Sequence, residues 1–449
     1  MIRYATLHGF KVRWDTKFVS FQEHEGAYIT TLHDNLTNHT YQIRSKYLFG
    51  ADGARSEVLR QADLPLIKKP SQGLAINVLV KADLSHLIKY RMGNLHWIIQ
   101  PDINHPDFAW AGIVRMVKPW NEWMFILLPS PNAGTSFKPT HDQYLKRVRE
   151  FIGDDTPAEI LNVSKWYINE IVAAQYSKGK LFCLGDAVHR HPPFNGLGSN
   201  TCIQDAFNLA WKIAYVEQGK AHPSLLETYS TERQPVGQSI ITRANDGFRD
   251  HFAVWDAMGV LAPTVSERVA KLKDLEADSP EGHRKRIQFQ NAIRQTNHEF
   301  HGLGIEMNQH YVSDAICNSD EPAPSTTATA PTSSPVLDYI PSTSPGRRLP
   351  HVWLNTAIPS QLLSTIDLAG HGAFSLFTGI GGTAGWKAAA ATVAKDLGIE
   401  IRVFGIGLGL DYEDVYFDWE GVKGVEDSGC VLVRPDRVVA WRVGVGFGV

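Results

Sequence analysis

Short runs in which hydrophobic and polar residues alternate mark the first part of the chain, and such runs are typical of β-strands. Two of them lie around Phe18–Phe21 and Tyr28–Leu32, and two more strand signals follow in YQIRSKYLFGADG. Four apolar runs separated by turns, LAINVLV, HWIIQ, FAWAGIVRMV and WMFILLP, follow over about residues 73–128. The pattern therefore predicts a strand-rich region over 73–128.

Longer, helical patterns follow. They predict helices at 141–152, 156–162 and 200–218, a strand at 180–184, and a helix-rich region over 222–312 with Pro235 at a kink or boundary. Within the helix at 200–218, four apolar residues recur at helical spacing: Ile203, Phe207, Ala210 and Ala214. This stripe predicts the face that the helix turns toward the core.

The composition changes sharply near residue 319. The stretch SDEPAPSTTATAPTSSP is rich in Ser, Thr, Pro and Ala, and such a stretch is unable to bury a core. The block after it has the order strand, helix, strand, strand, strand, which predicts a small α/β domain. We therefore expect one domain over 1–318, a flexible linker over 319–345 and a second domain over 346–449.

Composition and charge narrow the class of protein. Hydrophobic residues make up 43% of the chain and charged residues 20%, which is ordinary for a globular protein. The formal net charge of −3 argues against a nucleic-acid partner. There is no apolar run as long as the roughly 18 residues of a membrane span. The four cysteines include no C-x-x-C pair, so we expect neither a metal site nor a redox disulfide, and a cytoplasmic location.

The stretch KLFCLGDAVHRHPPFNGLGSN suggests a binding site, because a strand, a loop and a helix N-terminus follow one another. Asp186 ends the strand, and its carboxylate can accept hydrogen bonds from sugar or ribityl hydroxyls, or simply cap a turn. Pro193 stiffens the loop, while Gly196 and Gly198 allow a flat ring to approach the backbone. Asn200 can both donate and accept, as a pyrimidine edge requires.

A second motif, YLFGADGARSEVLRQ, is another strand, turn and helix. In this motif Asp52 has a simple alternative role as an ordinary turn residue that binds no ligand. Together, GADGARSEVLR and GDAVHRHPPFNGLGSN resemble the paired fingerprints of the FAD-dependent aromatic hydroxylases, the p-hydroxybenzoate hydroxylase-like flavoprotein monooxygenases. LLETYSTERQPVG and CVLVRPDRVVAWR are most similar to the phenol hydroxylases of the dichlorophenol 6-monooxygenase type. The resemblance extends over nearly the whole chain.

The resemblance implies an FAD-binding α/β domain with an antiparallel substrate-domain sheet over about residues 70–130, followed by a thioredoxin-like C-terminal α/β domain without C-x-x-C. In the family this last domain supports dimerisation, so we expect a homodimer. By comparison with the family layout, we also expect the N-terminal βαβ unit with its G-x-G-x-x-G turn to be missing. An acidic residue that helps to activate the phenol belongs to that unit, so no catalytic residue is assigned here.

The resemblance also implies cofactor contacts. Asp186 would bind the ribityl or ribose region, Asp52 and Gly53 would lie near the pyrophosphate, and Arg55 would meet phosphate or NAD(P)H. The remaining FAD-binding candidates, which pass close to the cofactor or line the flavin ring, are Gly185, His189, Pro193, Gly196, Gly198, Ser199 and Asn200. Candidates for an aromatic substrate pocket, with plain core packing as the alternative, are Trp97, Trp110 and Phe125.

The activity implied is hydroxylation of a phenolic or related aromatic compound with NAD(P)H and O2, through a C4a-hydroperoxyflavin. Two other readings remain open. One is a family member without redox chemistry that binds or transforms a hydrophobic small molecule and needs no flavin. The other is a structural role in which the C-terminal block only dimerises.

Overall fold

A computed structural model describes residues 1–130, 137–319, 321 and 334–444. Of the predicted flexible linker over 319–345, residues 320 and 322–333 lie outside the described residues. Residues 334–345, predicted as the end of that linker, are instead tied to the helical region before it. Asn308 accepts a hydrogen bond from the Ile340 N–H at 3.0 Å and donates one to the Asp338 carbonyl at 2.8 Å.

The helices match the predicted pattern closely at 141–152 and 200–218, and Pro235 lies inside a helix rather than at a boundary. The described α-helices are α1 Ile2–Leu7, α2 Glu57–Ala62, α3 Ser85–Ile88, α4 His141–Ile152, α5 Gly198–Glu217, α6 Thr228–Ala257, α7 Val265–Asp274, α8 Pro280–Gln295, α9 Asn297–Phe300, α10 Leu303–Met307, α11 Thr365–Leu368, α12 Thr383–Leu397 and α13 Asp418–Val422. Among the described residues, every helix is too short or too polar to cross a bilayer.

The strands form several small sheets and one larger one. They are β1 Thr16–His24, β2 Ala27–Asp34, β3 His39–Ser45, β4 Leu48–Gly50, β5 Leu66–Lys69, β6 Leu74–Lys81, β7 Leu95–Ile99, β8 Phe108–Lys118, β9 Glu122–Pro129, β10 Glu159–Tyr167, β11 Glu170–Ala173, β12 Ser177–Lys178, β13 Leu181–Cys183, β14 His189–Arg190, β15 Trp353–Asn355, β16 Leu363–Ser364, β17 Phe374–Thr378, β18 Ile401–Gly405, β19 Glu413–Asp414, β20 Cys430–Val433 and β21 Val439–Val443.

The chain forms two compact units, of which the first comprises residues 1–68, 171–244 and 298–449. In this unit β1, β2 and β3 form an antiparallel sheet, and β4 pairs in parallel with β13. The residues of β13 belong to a core that includes Phe182 and Tyr229, both fully buried, and Leu48 of β4 packs against this core, whereas Phe49 of β4 is 47% exposed. A strand buried on both faces requires apolar residues throughout, as β13 has in Leu181, Phe182 and Cys183.

The C-terminal block of the first unit contains a four-stranded sheet in the order β18-β17-β20-β21. Helix α12 connects the parallel strands β17 and β18, and β20 and β21 are antiparallel additions. This is the strand, helix, strand, strand, strand order expected from the sequence. Phe377, Trp419 and Val431 form part of its own core.

The second unit comprises residues 69–170 and 245–297 and contains a five-stranded antiparallel sheet in the order β10-β6-β9-β8-β7. Helix α4 packs on one face, where Val148 and Phe151 join the core residues of the sheet. The helix predicted at 156–162 is wrong, because this segment begins β10 and pairs with β6. A short apolar run is compatible with both the helical and the strand periodicity, and here pairing with β6 makes the segment a strand.

Candidate functional site

The two sequence motifs meet at one edge of the parallel strand pair. Leu48 lies opposite Leu181 and Gly50 opposite Cys183, so both strands end at the same level. Each strand then runs into a 3₁₀ turn, over Gly53–Arg55 after β4 and over Gly185–Ala187 after β13, and the two turns contact each other. The carboxyl edge of parallel strands is where α/β folds commonly bind ligands.

The β13–α5 loop, residues 184–197, begins with a glycine that the geometry requires. Gly185 has φ of +64°, a left-handed conformation that costs little only for glycine. A Cβ placed there would lie 3.0 Å from the Cys202 Sγ, so α5 approaches the backbone closely. The glycine therefore allows the loop to turn tightly against the first turns of α5.

Asp186 is the exposed acid of this loop. Its Oδ1 lies 3.8 Å from the Cys202 thiol, which donates to it. Burial, and next the negative charge of Asp186, raise the pKa of the Cys202 thiol to about 11. Together with His189, these residues offer ligand atoms within 4.8 Å of one another. The sequence led us to expect that the protein has no metal site, and this expectation stays a prediction.

Helix α5 begins without a side-chain cap. The N–H groups in the first turn of any helix lack intrahelical acceptors, and the dipole of a 20-residue helix adds positive potential there. Ser199 and Asn200 are exposed at this end, and the Asn200 amide donates to the Gly196 carbonyl at 3.0 Å. Gly196 has φ of +63° and open space where a Cβ would lie. The helix start is thus an open surface with backbone donors.

The motif GADGARSEVLR contributes differently. Asp52, proposed near a pyrophosphate, accepts hydrogen bonds from the backbone N–H groups of Glu57 at 2.8 Å and Val58 at 3.1 Å. Its carboxylate therefore caps α2. Gly53 has φ of +79° and an open side, while Arg55 is exposed in the same turn. Asp52 is exposed as well, but its carboxylate is bonded to the α2 backbone, whereas Gly53 and Arg55 face outward in the turn.

His189 does not lie on this surface. It is fully buried, and its Nε2 is 2.8 Å from the Asp205 Oδ2. Asp205 also accepts from the Gly185 N–H at 3.0 Å and from the Arg233 Nε at 2.8 Å. His189 thus bonds inside the loop, and its expected place beside the flavin stays a prediction.

Asp205 is the residue that sequence reasoning missed. Burial alone would raise the pKa of its carboxyl, but the Arg233 guanidinium and His189 outweigh burial and lower it. The carboxylate is thus charged and holds the start of the β13–α5 loop from inside. The sequence did contain a sign of this role, because Asp205 is an acidic residue in the middle of a largely apolar helix.

The apolar stripe of α5 is on the opposite side from the one expected. Ile203 is 54% exposed and Phe207 is 48% exposed, whereas Asp205, Asn208 and Lys212 are buried. Leu209, Trp211 and Tyr215 are buried beside these polar residues, whose side chains find partners on α6 and in the C-terminal block. Helical spacing identified a face but not which face is covered.

The sequence profile described as "FAD binding domain" matches residues 1–244, and "Aromatic-ring hydroxylase, C-terminal" matches residues 342–446. The chain is 40% identical over 445 residues to 2,4-dichlorophenol 6-monooxygenase of Cupriavidus pinatubonensis, covering 98% of this chain and 73% of that protein. This chain belongs to the FAD-dependent aromatic hydroxylases. It is also 40% identical to phenol 2-monooxygenase of a Pseudomonas species, covering 98% of this chain and 70% of the relative.

Among solved structures, a similar one is the flavin-dependent monooxygenase PieE in complex with FAD and substrate. It has a TM-score of 0.87 and 36% identity, covering 96% of this chain and 72% of PieE. FAD, with NAD(P)H as reductant, is therefore the cofactor of this hydroxylase.

The residues of the β13–α5 loop fit a flavin. Asp186 offers an exposed acceptor for ribityl or ribose hydroxyls, and the uncapped α5 supplies backbone N–H donors for negative charge. At Gly196 the backbone is open to a flat ring, because nothing lies where a Cβ would be. Pro193 is exposed on the same loop and Gly198 is half-buried beside the His191 ring.

The aromatic candidates of this hydroxylase divide into two groups within the second unit. Trp97 and Trp110 both contact Trp255, with ring centroids 5.5 Å and 5.6 Å apart. Phe125 is instead buried in the core with Phe151 of α4. Trp255, which lies on α6, was not found from the sequence because it is more than a hundred residues away in the chain.

Proposed function

We propose that this chain hydroxylates a phenol, with NAD(P)H as electron donor and O2 as the source of the oxygen atom. The relatives that support a phenolic substrate are named as acting on 2,4-dichlorophenol and on phenol. Halogenated and unsubstituted phenols are thus the substrate class to test first. Bound FAD supplies the activation of O2 and the transfer of one oxygen atom to the ring.

The chain's own residues position the cofactor. Asp186 would accept hydrogen bonds from the ribityl or ribose hydroxyls, and the first turn of α5 would stabilise negative charge on the flavin ring. Gly53 and Arg55 would lie toward the phosphates. The proposal rests above all on the meeting of both motifs at the carboxyl ends of β4 and β13.

For the substrate, we propose the aromatic cluster of Trp97, Trp110 and Trp255. These rings meet edge to face, and aromatic side chains in such an arrangement can pack against the ring of a phenol. Phe125 is not part of this proposal, because it fills the core under α4. Trp97→Ala should raise the KM for the phenol more than it raises the Kd for FAD.

The test begins with an absorbance titration of the full chain with FAD. Binding shifts the flavin bands near roughly 370 and 450 nm, and Asp186→Ala is the matched variant for the site. The loaded protein is then assayed for NAD(P)H oxidation with and without a panel of phenols, and hydroxylated products are separated from hydrogen peroxide.

Phenol-stimulated NAD(P)H oxidation with a hydroxylated product supports the proposal. Flavin binding without any product across the panel overturns it. A folded chain that binds no FAD but gains thermal stability with phenols would favour the alternative of a ligand-binding family member without redox chemistry.

Two further features belong to this proposal. A homodimer is supported by the resemblance of residues 346–449 to a domain that dimerises in the family, and sedimentation of the chain with and without that block tests it.

A cytoplasmic location is supported by the four cysteines, all of which are unpaired.

A further inference from the structure

Two buried clusters of charged side chains lie side by side in the first unit. The loop cluster consists of His189, Asp205 and Arg233. The domain cluster consists of Lys212, Glu232, Arg434 and Asp436. Every one of these side chains is at most 2% exposed, and no more than 3.0 Å separates each bonded pair.

The domain cluster joins the C-terminal block to α5 and α6. Arg434 follows β20 and donates to both carboxylate oxygens of Glu232, at 2.6 and 2.9 Å, and also binds Asp436. Lys212 of α5 donates to Glu232 at 2.8 Å. The two positive and two negative charges balance, which a buried group of ions requires.

The loop cluster reaches the flavin side of the unit. Asp205 binds the backbone N–H of Gly185 and the His189 ring, both in the β13–α5 loop. Arg233 donates to Asp205 at 2.8 Å and is the next residue after Glu232 on α6. A shift of α6 that follows Glu232 therefore also moves Arg233.

Tyr311 links the clusters a second time. Its hydroxyl accepts a hydrogen bond from the Arg233 Nη1 at 2.8 Å. Its ring faces the Arg434 guanidinium, with 5.7 Å from the Arg434 Cζ to the ring centroid. Both guanidinium groups are therefore held by the same side chain. A buried charge that loses its partner is strongly destabilising, so a shift of one partner favours a matching shift of the other.

We propose that Arg434 of the C-terminal block is a positioning residue for the β13–α5 loop, acting through Glu232 and Arg233 on α6 and through Asp205. The C-terminal block thereby sets the geometry at which the loop meets the flavin, in addition to any part in dimerisation. The inference rests on the proposed function only in taking the β13–α5 loop as the flavin site.

The test uses the full chain carrying ¹³Cε1-labelled histidine, with the His189 signal assigned through His189→Gln. Arg434→Met removes both bonds to Glu232. Arg442→Met is the matched control, because Arg442 lies in β21 of the same block and pairs with Glu321, away from α6. The His189 signal is followed without flavin, and the Kd for FAD is measured separately.

Arg434→Met is expected to move the His189 signal and to raise the Kd for FAD at least fivefold, with Arg442→Met changing neither. Arg434→Lys should recover part of both effects, since it keeps the charge but loses the two-pronged contact. Tyr311→Phe removes one hydroxyl and no charge, and it should also move the His189 signal. This variant replaces Arg434→Met in the test if Arg434→Met does not fold.

A His189 signal that is unchanged in folded Arg434→Met and Tyr311→Phe overturns the inference. An equal shift of the His189 signal in Arg442→Met also overturns the inference, because the shift would then reflect a general loosening of the C-terminal block. Since the histidine signal needs no FAD, a chain that binds no flavin would contradict the proposed function but would leave this test decisive.

Discussion

Replacing Gly185 by alanine tests how closely α5 approaches the β13–α5 loop. A left-handed alanine costs about 1–2 kcal/mol relative to its usual conformations. The new Cβ would also lie 3.0 Å from the Sγ and 3.3 Å from the Cβ of Cys202. Overpacking of this kind typically costs about 1–3 kcal/mol. We therefore expect Gly185→Ala to destabilise the loop by roughly 2–5 kcal/mol.

Gly196→Ala is the matched control in the same loop. Its φ of +63° is nearly equal to the +64° of Gly185, but nothing lies within 4 Å of its added Cβ. Both substitutions carry the same backbone strain and the same change in the unfolded chain. The difference between them, about 1–3 kcal/mol, isolates the contact with Cys202.

Native-state hydrogen exchange of the segment 181–200 measures the local free energy even when the two units unfold separately. Cys202→Ala should remove much of the excess cost of Gly185→Ala and leave that of Gly196→Ala unchanged. Equal costs for the two glycine variants, within about 0.5 kcal/mol, would refute the close approach, as would an excess that Cys202→Ala does not reduce.

Four other outcomes are expected. Asp186→Ala should raise the Kd for FAD at least tenfold in an absorbance titration, with an unchanged thermal midpoint. Because the pKa of the Cys202 thiol is raised to about 11, the rate at which iodoacetamide alkylates Cys202 should rise about tenfold per pH unit from pH 8. Asp186→Ala removes a negative charge beside the thiol, so alkylation at pH 8 should be faster in this variant, as mass spectrometry would show. Phe125→Ala should cost about 3–5 kcal/mol in urea unfolding, and Met124→Ala, on the other sheet face, clearly less. The lowered pKa of Asp205 contributes stability that is present above about pH 4 and lost as pH falls further, so Asp205→Asn should flatten the acid limb of the melting curve.

The features that the sequence predicted well are local ones. The strands β4 and β13 and the turns after them follow from short apolar runs that end in Gly-Ala-Asp-Gly and Gly-Asp-Ala. Helix α4 begins at a Thr140 capping box and ends at a left-handed Gly153, both of which are signals within the helix itself. Where neighbours in the chain decide the structure, the pattern is sufficient.

The failures have a different cause. Segment 156–162 became a strand because β6, some eighty residues earlier, pairs with it. The bond between His189 and Asp205 was likewise not foreseen, because no pattern near His189 indicates this buried partner. Each outcome depends on residues far away in the chain, to which a reading by periodicity has no access.

Helix α5 shows what a better reading would have required. Asp205, Asn208 and Lys212 lie on one face, three and four residues apart, and such a face is normally solvated. Here it is buried because α6 presents Glu232 and Arg233 to it, and the charges cancel within each cluster. An exposed face would need no such matching charges elsewhere. The adjacent opposite charges on α6 were therefore the signal that the polar face of α5 turns inward and leaves Ile203 and Phe207 exposed.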